Sequence, residues 1–112
     1  MKYLNYEILI NNNRETKFMP SQWILEHKGS IDLTDYSLEY QSTIGSNEKR
    51  EGYDRIFVLE KIYQRFNRNH PKDYKSRSLS VGDIVKLENY YYMVESIGFK
   101  KLRSTSIKKK VG

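Results

Sequence analysis

The sequence predicts one α+β domain, with a small mixed or antiparallel sheet, one main helix, a short second helix and a C-terminal β-hairpin. Three features predict this fold: β-rich runs in the first 44 residues, an apolar stripe of helical period between residues 54 and 67, and two β-rich runs joined by two residues. Strands and helices in this order are typical of the α+β class. A chain of 112 residues has the length of one domain and buries enough surface to fold without disulfides or metal.

The first predicted strand covers residues 3–10, where β-forming residues dominate, and the three asparagines that follow end it. A short helix is predicted over residues 20–29, because Pro20 suits a first helical turn and Gly29 ends the helix. One face of this helix carries Trp23, Ile24 and His27. His27 is therefore expected to be a core or rim residue rather than a metal ligand.

A second long strand is predicted over residues 35–44, because apolar and polar residues alternate there. The alternation places Tyr36, Leu38 and Tyr40 on one face and Ser37, Glu39 and Gln41 on the other. We expect this strand to be half-buried. Residues 45–52 are polar, contain two glycines and show no period, which predicts a loop.

The main helix is predicted over residues 54–67, with Asp54 as its N-cap. Its apolar stripe, at spacings of three and four residues, consists of Ile56, Leu59, Ile62, Tyr63 and Phe66. The side predicted to face solvent carries Lys61, Gln64, Arg65 and Arg68. Pro71 prevents the helix from continuing and biases His70 towards an extended backbone.

The C-terminal hairpin is predicted from two β-rich runs, residues 82–87 and 90–97, that are joined by Glu88 and Asn89. The predicted pairing places Val85, Leu87, Tyr90 and Tyr92 on one face and Ile84, Tyr91 and Met93 on the other. Both faces are largely apolar. We therefore expect the hairpin to lie in the centre of the sheet or under a helix.

The stretch RSLSVGDIVKL, which leads into the hairpin, combines a cation, two serines and an apolar alternation. Gly82 and Asp83 are expected to shape the start of the strand. Ser78 and Ser80 are expected to satisfy backbone groups near that turn. In this stretch Arg77 is the residue we expect to contact a partner, since it ends a basic loop.

The net charge of +6 is unevenly distributed along the chain. Residues 100–112 hold six basic residues and no acid, and residues 61–77 carry a net +5. We predict that cations of these two segments contact a partner, and polyanions are the expected ligands. The candidate contact residues are Lys61, Arg65, Arg68, Lys72, Lys75, Arg77, Lys100, Lys101 and Arg103. The alternative for the C-terminal cations is a solvated, flexible tail over residues 103–112 that follows a domain at residues 1–102.

No residue pattern predicts catalysis, a cofactor or a bound metal, so we expect a protein that is not an enzyme. The chain has no cysteine and two isolated histidines, which excludes the spaced ligand motifs of metal sites. Ser78 and Ser80 lack a nucleophile elbow, and the glycines form no phosphate-binding loop. The tyrosines at residues 90–92 lie beside cations and could stack on bases, although tyrosines in a hairpin are usually packing residues.

The sequence shows neither a signal peptide nor a membrane span. Residues 1–13 contain no continuous apolar run with a cleavage site, and no apolar run approaches the roughly 20 residues of a transmembrane helix. Together with the absence of cysteine, this indicates a soluble, cytoplasmic protein.

Several motifs in the same order resemble the YodL-like domain, which occurs in small and polyvalent proteins of phages, plasmids and integrative elements of Gram-positive bacteria. The matching positions are Asp35-Tyr36, Phe66-Asn67, Pro71 with Asp73-Tyr74, residues 77–85, and Tyr92 with Ser96, Gly98 and Phe99. The resemblance covers residues 3–102. This chain departs from the family pattern at Gly82, Glu95 and Ile97, where the family usually has serine, aspartate and phenylalanine.

The resemblance carries over no catalytic residue, but it implies a protein of a mobile genetic element. We expect this protein to act in the cytoplasm of a bacterial host cell, as a monomer or a small homo-oligomer. The leading hypothesis is an anti-CRISPR protein that binds a type II CRISPR effector nuclease or its guide RNA and interferes with guide loading or complex assembly. An inhibitor that mimics DNA would be acidic, and this chain is basic. The alternatives are a nucleic-acid-binding accessory protein in replication, transfer or transcription, and an interaction module without a nucleic-acid role.

Overall fold

A computed structural model describes residues 2–46 and 54–108, and it shows an α+β fold, as predicted. The elements are β1 (Lys2–Asn11), α1 (Ser21–Lys28), β2 (Ile31–Asp32), β3 (Tyr36–Ser46), α2 (Asp54–Arg68), β4 (Ile84–Leu87), β5 (Tyr90–Val94), β6 (Phe99–Lys101) and β7 (Ile107–Lys108). Five strands form one sheet in the order β3-β1-β4-β5-β6, and all neighbouring strands in it are antiparallel. The short strands β2 and β7 form a separate parallel pair.

The strand β1 organises the sheet because it pairs with β3 on one side and with β4 on the other. Its side chains alternate between the two faces of the sheet, and both faces are covered. Tyr6 and Ile8 belong to the core under α2, whereas Leu9 belongs to the core under α1. Leu4, Tyr6, Ile8 and Ile10 are all buried, whereas on the other face Leu9 is buried but Tyr3 is 66% exposed and Asn5 is exposed.

The larger core lies between the sheet and α2. From the helix it contains Val58, Leu59, Ile62 and Phe66, and from the connection between α2 and β4 it contains Tyr74 and Leu79. The prediction for the apolar stripe of α2 is confirmed at Leu59, Ile62 and Phe66, whereas Tyr63 is 36% exposed and the prediction is wrong at Ile56. Ile56 is 63% exposed, whereas Val58, one position from Leu59, is 3% exposed and takes its place.

The second core lies on the opposite face, between the sheet and α1. Ile24 of α1 packs there with Ile84 and Met93 of the hairpin. The N-terminus of α1 is capped from a distance, because the Glu95 carboxylate accepts hydrogen bonds from the Ser21 amide (3.1 Å) and hydroxyl (2.7 Å). The helix ends at Gly29 in a left-handed conformation with φ of 80°, as predicted.

The predicted alternation of Tyr36, Leu38 and Tyr40 on one face of β3 is wrong. Ile8 lies opposite Tyr40 while Leu9 lies opposite Leu38, so a β-bulge inserts one extra residue into β3 at Glu39. Tyr40 therefore packs against the α2 core and Tyr36 against the α1 core, while Leu38 is 52% exposed.

The predicted hairpin is confirmed, including its register and its two faces. Leu87 lies opposite Tyr90 and Ile84 opposite Met93, with Glu88 and Asn89 as the connection. The second strand is shorter than predicted: it ends at Val94, and the chain turns back to form β6, which the sequence did not indicate.

The segments predicted as loop and tail are partly outside the described residues. Of the loop predicted at residues 45–52, Gly45 and Ser46 belong to β3 and the rest is not described; nor is the capping side chain of Asp54. Of the tail predicted at residues 103–112, residues 104–106 form a 3₁₀ turn and Ile107–Lys108 pair with Ile31–Asp32, whereas residues 109–112 are not described.

Candidate functional site

The family motifs hold the connection between α2 and β4 in place. Asn67 forms a reciprocal pair with Leu79, whose amide donates to Oδ1 of Asn67 (2.8 Å) and whose carbonyl accepts from Nδ2 (3.1 Å). Tyr74 is 5% exposed, its hydroxyl donates to the Arg77 carbonyl (2.6 Å), and its ring packs edge-on against Phe66. These residues fix the course of the backbone up to Arg77.

Arg77 points into the protein and pairs with Asp83, which is completely buried. Nη1 lies 2.6 Å from Oδ2 and Nη2 lies 2.9 Å from Oδ1, so the ion pair is bidentate. Asp83 also accepts hydrogen bonds from the backbone amides of Asn11 (3.0 Å) and Ser80 (2.8 Å). The charge of Arg77 is therefore neutralised within the fold, and its guanidinium lies 5.0 Å from the Phe18 ring centroid.

Gly82 and Asp83 shape the start of β4, as predicted. Gly82 has φ of 93°, and a Cβ atom at this position would lie 3.0 Å from the Met19 carbonyl oxygen. The Tyr36 hydroxyl donates to the Gly82 carbonyl (2.8 Å). Burial and the nearby Asp83 carboxylate raise the pKa of Tyr36 above its ordinary value. The stretch RSLSVGDIVKL is thus a structural junction between β1, β3 and β4.

Ser78 and His70 form a polar pair that the sequence did not indicate. The Ser78 hydroxyl lies 3.2 Å from Nε2 of His70, so the expectation that Ser78 satisfies a backbone group is wrong. The imidazole stands edge-on to the Tyr74 ring. Among the described residues no carboxylate binds the second imidazole nitrogen, so the pair lacks the orienting group that activates a serine nucleophile.

Four of the predicted contact residues line one open groove at the C-terminal end of α2. This helix groove comprises Lys61, Arg65, Arg68 and Lys72. All four residues are exposed, and within the described parts of the chain none forms an ion pair with a carboxylate. The groove has a volume of about 600 Å³, and none of the described residues that line it is acidic. Its surface is therefore strongly positive.

The single acid of the basic segment is Asp73, which is exposed. Burial, and after it a hydrogen bond and the charge of Asp73, raise the pKa of Tyr40, while the charge of Arg65 lowers it. Lys75 lies beside the helix groove, where its ammonium donates to the Lys72 carbonyl (3.1 Å). The helix dipole accounts for the arginines of the last turn of α2, because cations are stabilised at helix C-termini, but it does not account for Lys61 or Lys72.

The C-terminal candidates lie near the opposite end of α2. Lys101 places its ammonium 4.0 Å from the Tyr90 ring centroid, and Arg55, in the first turn of α2, lies 4.8 Å from the same ring. Lys100 occupies the other face of β6, since neighbouring strand residues point to opposite faces. Helical rise separates Arg55 from Arg68 by about 20 Å. The structure therefore places five candidates at or beside the helix groove, three near the start of α2, and Arg77 apart from both, at the junction before β4.

No group of three or more histidine, aspartate or glutamate side chains in residues 2–46 and 54–108 is placed to hold a metal ion. Across the same residues, neither helix is long and apolar enough to span a membrane.

Comparisons with known proteins place the chain in a family. Residues 2–104 match the YodL-like domain. An uncharacterized protein of Acanthamoeba polyphaga mimivirus is 37% identical in an alignment of 95 residues that covers 73% of this chain and 82% of that protein. No solved structure matches the chain. The match contains both helices, the five-stranded sheet and the Arg77–Asp83 pair. The chain belongs to the YodL-like domain family.

Proposed function

We propose that this protein is a nucleic-acid-binding accessory protein of a mobile genetic element, and that it binds a phosphate backbone through the helix groove. The observation that carries the proposal is the set of four exposed cations that lie together without an acidic partner among the described residues. Lysine and arginine side chains that neutralise phosphates supply most of the affinity of sequence-independent nucleic-acid binding. The viral relative supports the mobile-element context.

The test of this proposal is salt-dependent binding of single-stranded and double-stranded RNA and DNA. We expect the double substitution Arg65→Gln/Arg68→Gln to weaken binding at least tenfold and to reduce the slope of log K against log salt concentration by about two. The control Arg14→Gln/Lys17→Gln removes the same charge far from the groove along the chain and should change affinity less than threefold. Equal losses in the two variants, or no binding by the unaltered protein, would refute the proposal.

A more specific candidate is the guide RNA of a type II CRISPR effector nuclease. We propose that the protein competes for this RNA, or for the nuclease that holds it, and so prevents guide loading. The support is the mobile-element context that the YodL-like resemblance implies, together with a positive surface, which suits contact with RNA rather than mimicry of DNA.

An order-of-addition assay tests the guide-loading candidate. The protein is added to guide-free nuclease before the guide RNA, or to the loaded complex afterwards, and DNA cleavage is measured. We expect inhibition in the first order and little in the second. Equal cleavage with and without the protein in the first order would eliminate the anti-CRISPR proposal while leaving nucleic-acid binding open.

A further inference from the structure

A second cavity lies at the end of the sheet, where the chain leaves β6 to form β7. This strand-end cavity has a volume of about 570 Å³, within the range of roughly 300–1,000 Å³ that is usual for small-molecule sites. The residues that line it include two tyrosines that point to opposite faces of β5, two cations and an asparagine. These residues are Tyr90, Tyr91, Lys101, Arg103 and Asn89. Leu102 and Ile107, both of which pack in the α1 core, add apolar surface.

The charges around the strand-end cavity are uncompensated in the described structure. Lys101 and Arg103 are exposed, no acidic residue lines the cavity, and neither cation pairs with a carboxylate of the described residues. Arg55 adds a cation at the Tyr90 ring, and its Nη1 atom is buried without a hydrogen-bond partner among the described residues. Arg55 and Lys101 lie close to the same ring and repel each other, and an anion bound near them would relieve that repulsion.

The remaining walls select for an aromatic ligand rather than for a bare anion. Tyrosine rings provide a surface on which a planar base can stack. The side-chain amide of Asn89, in the turn between β4 and β5, offers both a donor and an acceptor to the edge of a base. An anion without a planar ring would use the cations but would not stack on the tyrosines.

We propose that the strand-end cavity binds one nucleotide unit, with its phosphate at Lys101 and Arg103 and its base against Tyr91 and Asn89. This inference rests on the proposed function, and it names the ligand of a second site that is separate from the helix groove. The ligand is either a free mononucleotide or one unit of a single strand whose backbone also reaches the helix groove.

The experiment titrates the full chain with adenosine 5′-monophosphate, adenosine, ribose 5-phosphate and an adenine dinucleotide, followed by calorimetry and by amide chemical shifts. We expect the monophosphate to bind at least tenfold more tightly than adenosine or ribose 5-phosphate, with shifts at residues 89–91 and 101–104. Arg103→Gln should weaken this binding at least tenfold, whereas Arg68→Gln in the helix groove should not change it. A dinucleotide that binds more tightly than the monophosphate identifies a strand as the ligand, and equal binding identifies a free nucleotide.

The outcomes separate the failure of this inference from the failure of the proposed function. If a 20-nucleotide single strand binds, loses affinity with Arg65→Gln/Arg68→Gln and is unaffected by Arg103→Gln, the nucleotide site is wrong and the helix groove stands. If inorganic phosphate or a phosphotyrosine peptide binds as tightly as the monophosphate, the nucleotide site is also wrong. If no nucleotide or nucleic acid binds, both proposals are wrong.

Discussion

At the scale of single residues, Asp83 connects parts of the fold that lie far apart in sequence, and its local sequence gives no sign of this role. Its two oxygens accept four hydrogen bonds, two from Arg77 and one each from the amides of Asn11 and Ser80. One buried carboxylate thus ties the start of β4 to the end of β1. Arg77, which the sequence singled out as a contact residue, is the counter-ion of this carboxylate.

Replacing the carboxylate by an amide tests this role. In Asp83→Asn one oxygen becomes an NH₂ group that faces donors of Arg77 and Ser80, and the guanidinium loses its counter-ion. We expect the free energy of unfolding, measured by urea denaturation, to fall by about 3 kcal/mol. The matched control Glu15→Gln removes the exposed ion pair between Glu15 and Lys28 (2.7 Å) and should leave the unfolding midpoint unchanged. Similar midpoints for the two variants would contradict this role of Asp83.

Gly82 offers a second test at the same junction. Ala at this position must adopt φ of 93° and place its Cβ 3.0 Å from a backbone oxygen of Met19. Gly98 also has positive φ, of 72°, but nothing lies within 4 Å of its Cβ position. We expect Gly98→Ala to cost about 1 kcal/mol of unfolding free energy and Gly82→Ala at least about 1 kcal/mol more.

The two glycine variants are compared by urea denaturation under the same conditions. Equal losses would show that the close approach of the 18–19 backbone is not needed for stability. Both substitutions impose a left-handed backbone on alanine, so the difference between their unfolding free energies measures the effect of close packing at Gly82 alone.

At the scale of elements, the face that α2 turns to the sheet is shifted from the predicted stripe. Ile62 is completely buried, while Ile56, on the same predicted stripe, is 63% exposed. We expect Ile62→Val to lower the unfolding free energy by about 1 kcal/mol and Ile56→Val to leave it unchanged within error. The measurement is urea denaturation of both variants, and a cost at Ile56 equal to that at Ile62 would contradict the packing of α2 against the sheet.

The strands that the sequence predicted correctly are those with a long run of β-forming or alternating residues. The register of the hairpin followed from alternation and from a two-residue connection, which are both local properties. The bulge at Glu39 could not be predicted in this way. It depends on how β3 pairs with β1, and the alternation of residues within β3 does not show that pairing. The short strands β6 and β7 are too brief for a period to show, and β7 forms only by pairing with β2.

At the scale of the whole molecule, the candidate site could be predicted in composition but not in arrangement. The four helix-groove cations are close in sequence and in space because α2 and the turn after it bring them together. Arg77 belongs to the same segment, but its side chain pairs with the carboxylate of Asp83, the residue before β4. The strand-end cavity requires residues 89–91 and 101–107 to meet, and no local pattern indicates that meeting.

The tyrosines give the whole molecule a predicted sensitivity to alkaline pH. Burial and the Asp83 carboxylate raise the pKa of Tyr74 to about 12, and burial first of all raises those of Tyr6, Tyr36 and Tyr40. An unfolded tyrosine ionises near about pH 10. Between about pH 10 and 12 the unfolded state loses these protons while the folded state retains them, so the free energy of unfolding is largest below about pH 10 and falls as the pH rises.

For Tyr74 alone this linkage lowers the unfolding free energy by about 1 kcal/mol at about pH 11. We therefore expect the urea midpoint to fall between pH 9 and pH 11, and the fall to be smaller in Tyr74→Phe, which has one such group fewer. The variant starts from a lower midpoint at pH 9, because it loses the hydrogen bond to the Arg77 carbonyl. The control is Tyr3→Phe, at a position that is 66% exposed, and its urea midpoint should fall as far as that of the unaltered protein. If the midpoint of Tyr74→Phe falls as far as that of the unaltered protein, the buried phenol does not control stability at alkaline pH. Other groups that titrate in this range, such as the lysines, then account for the loss.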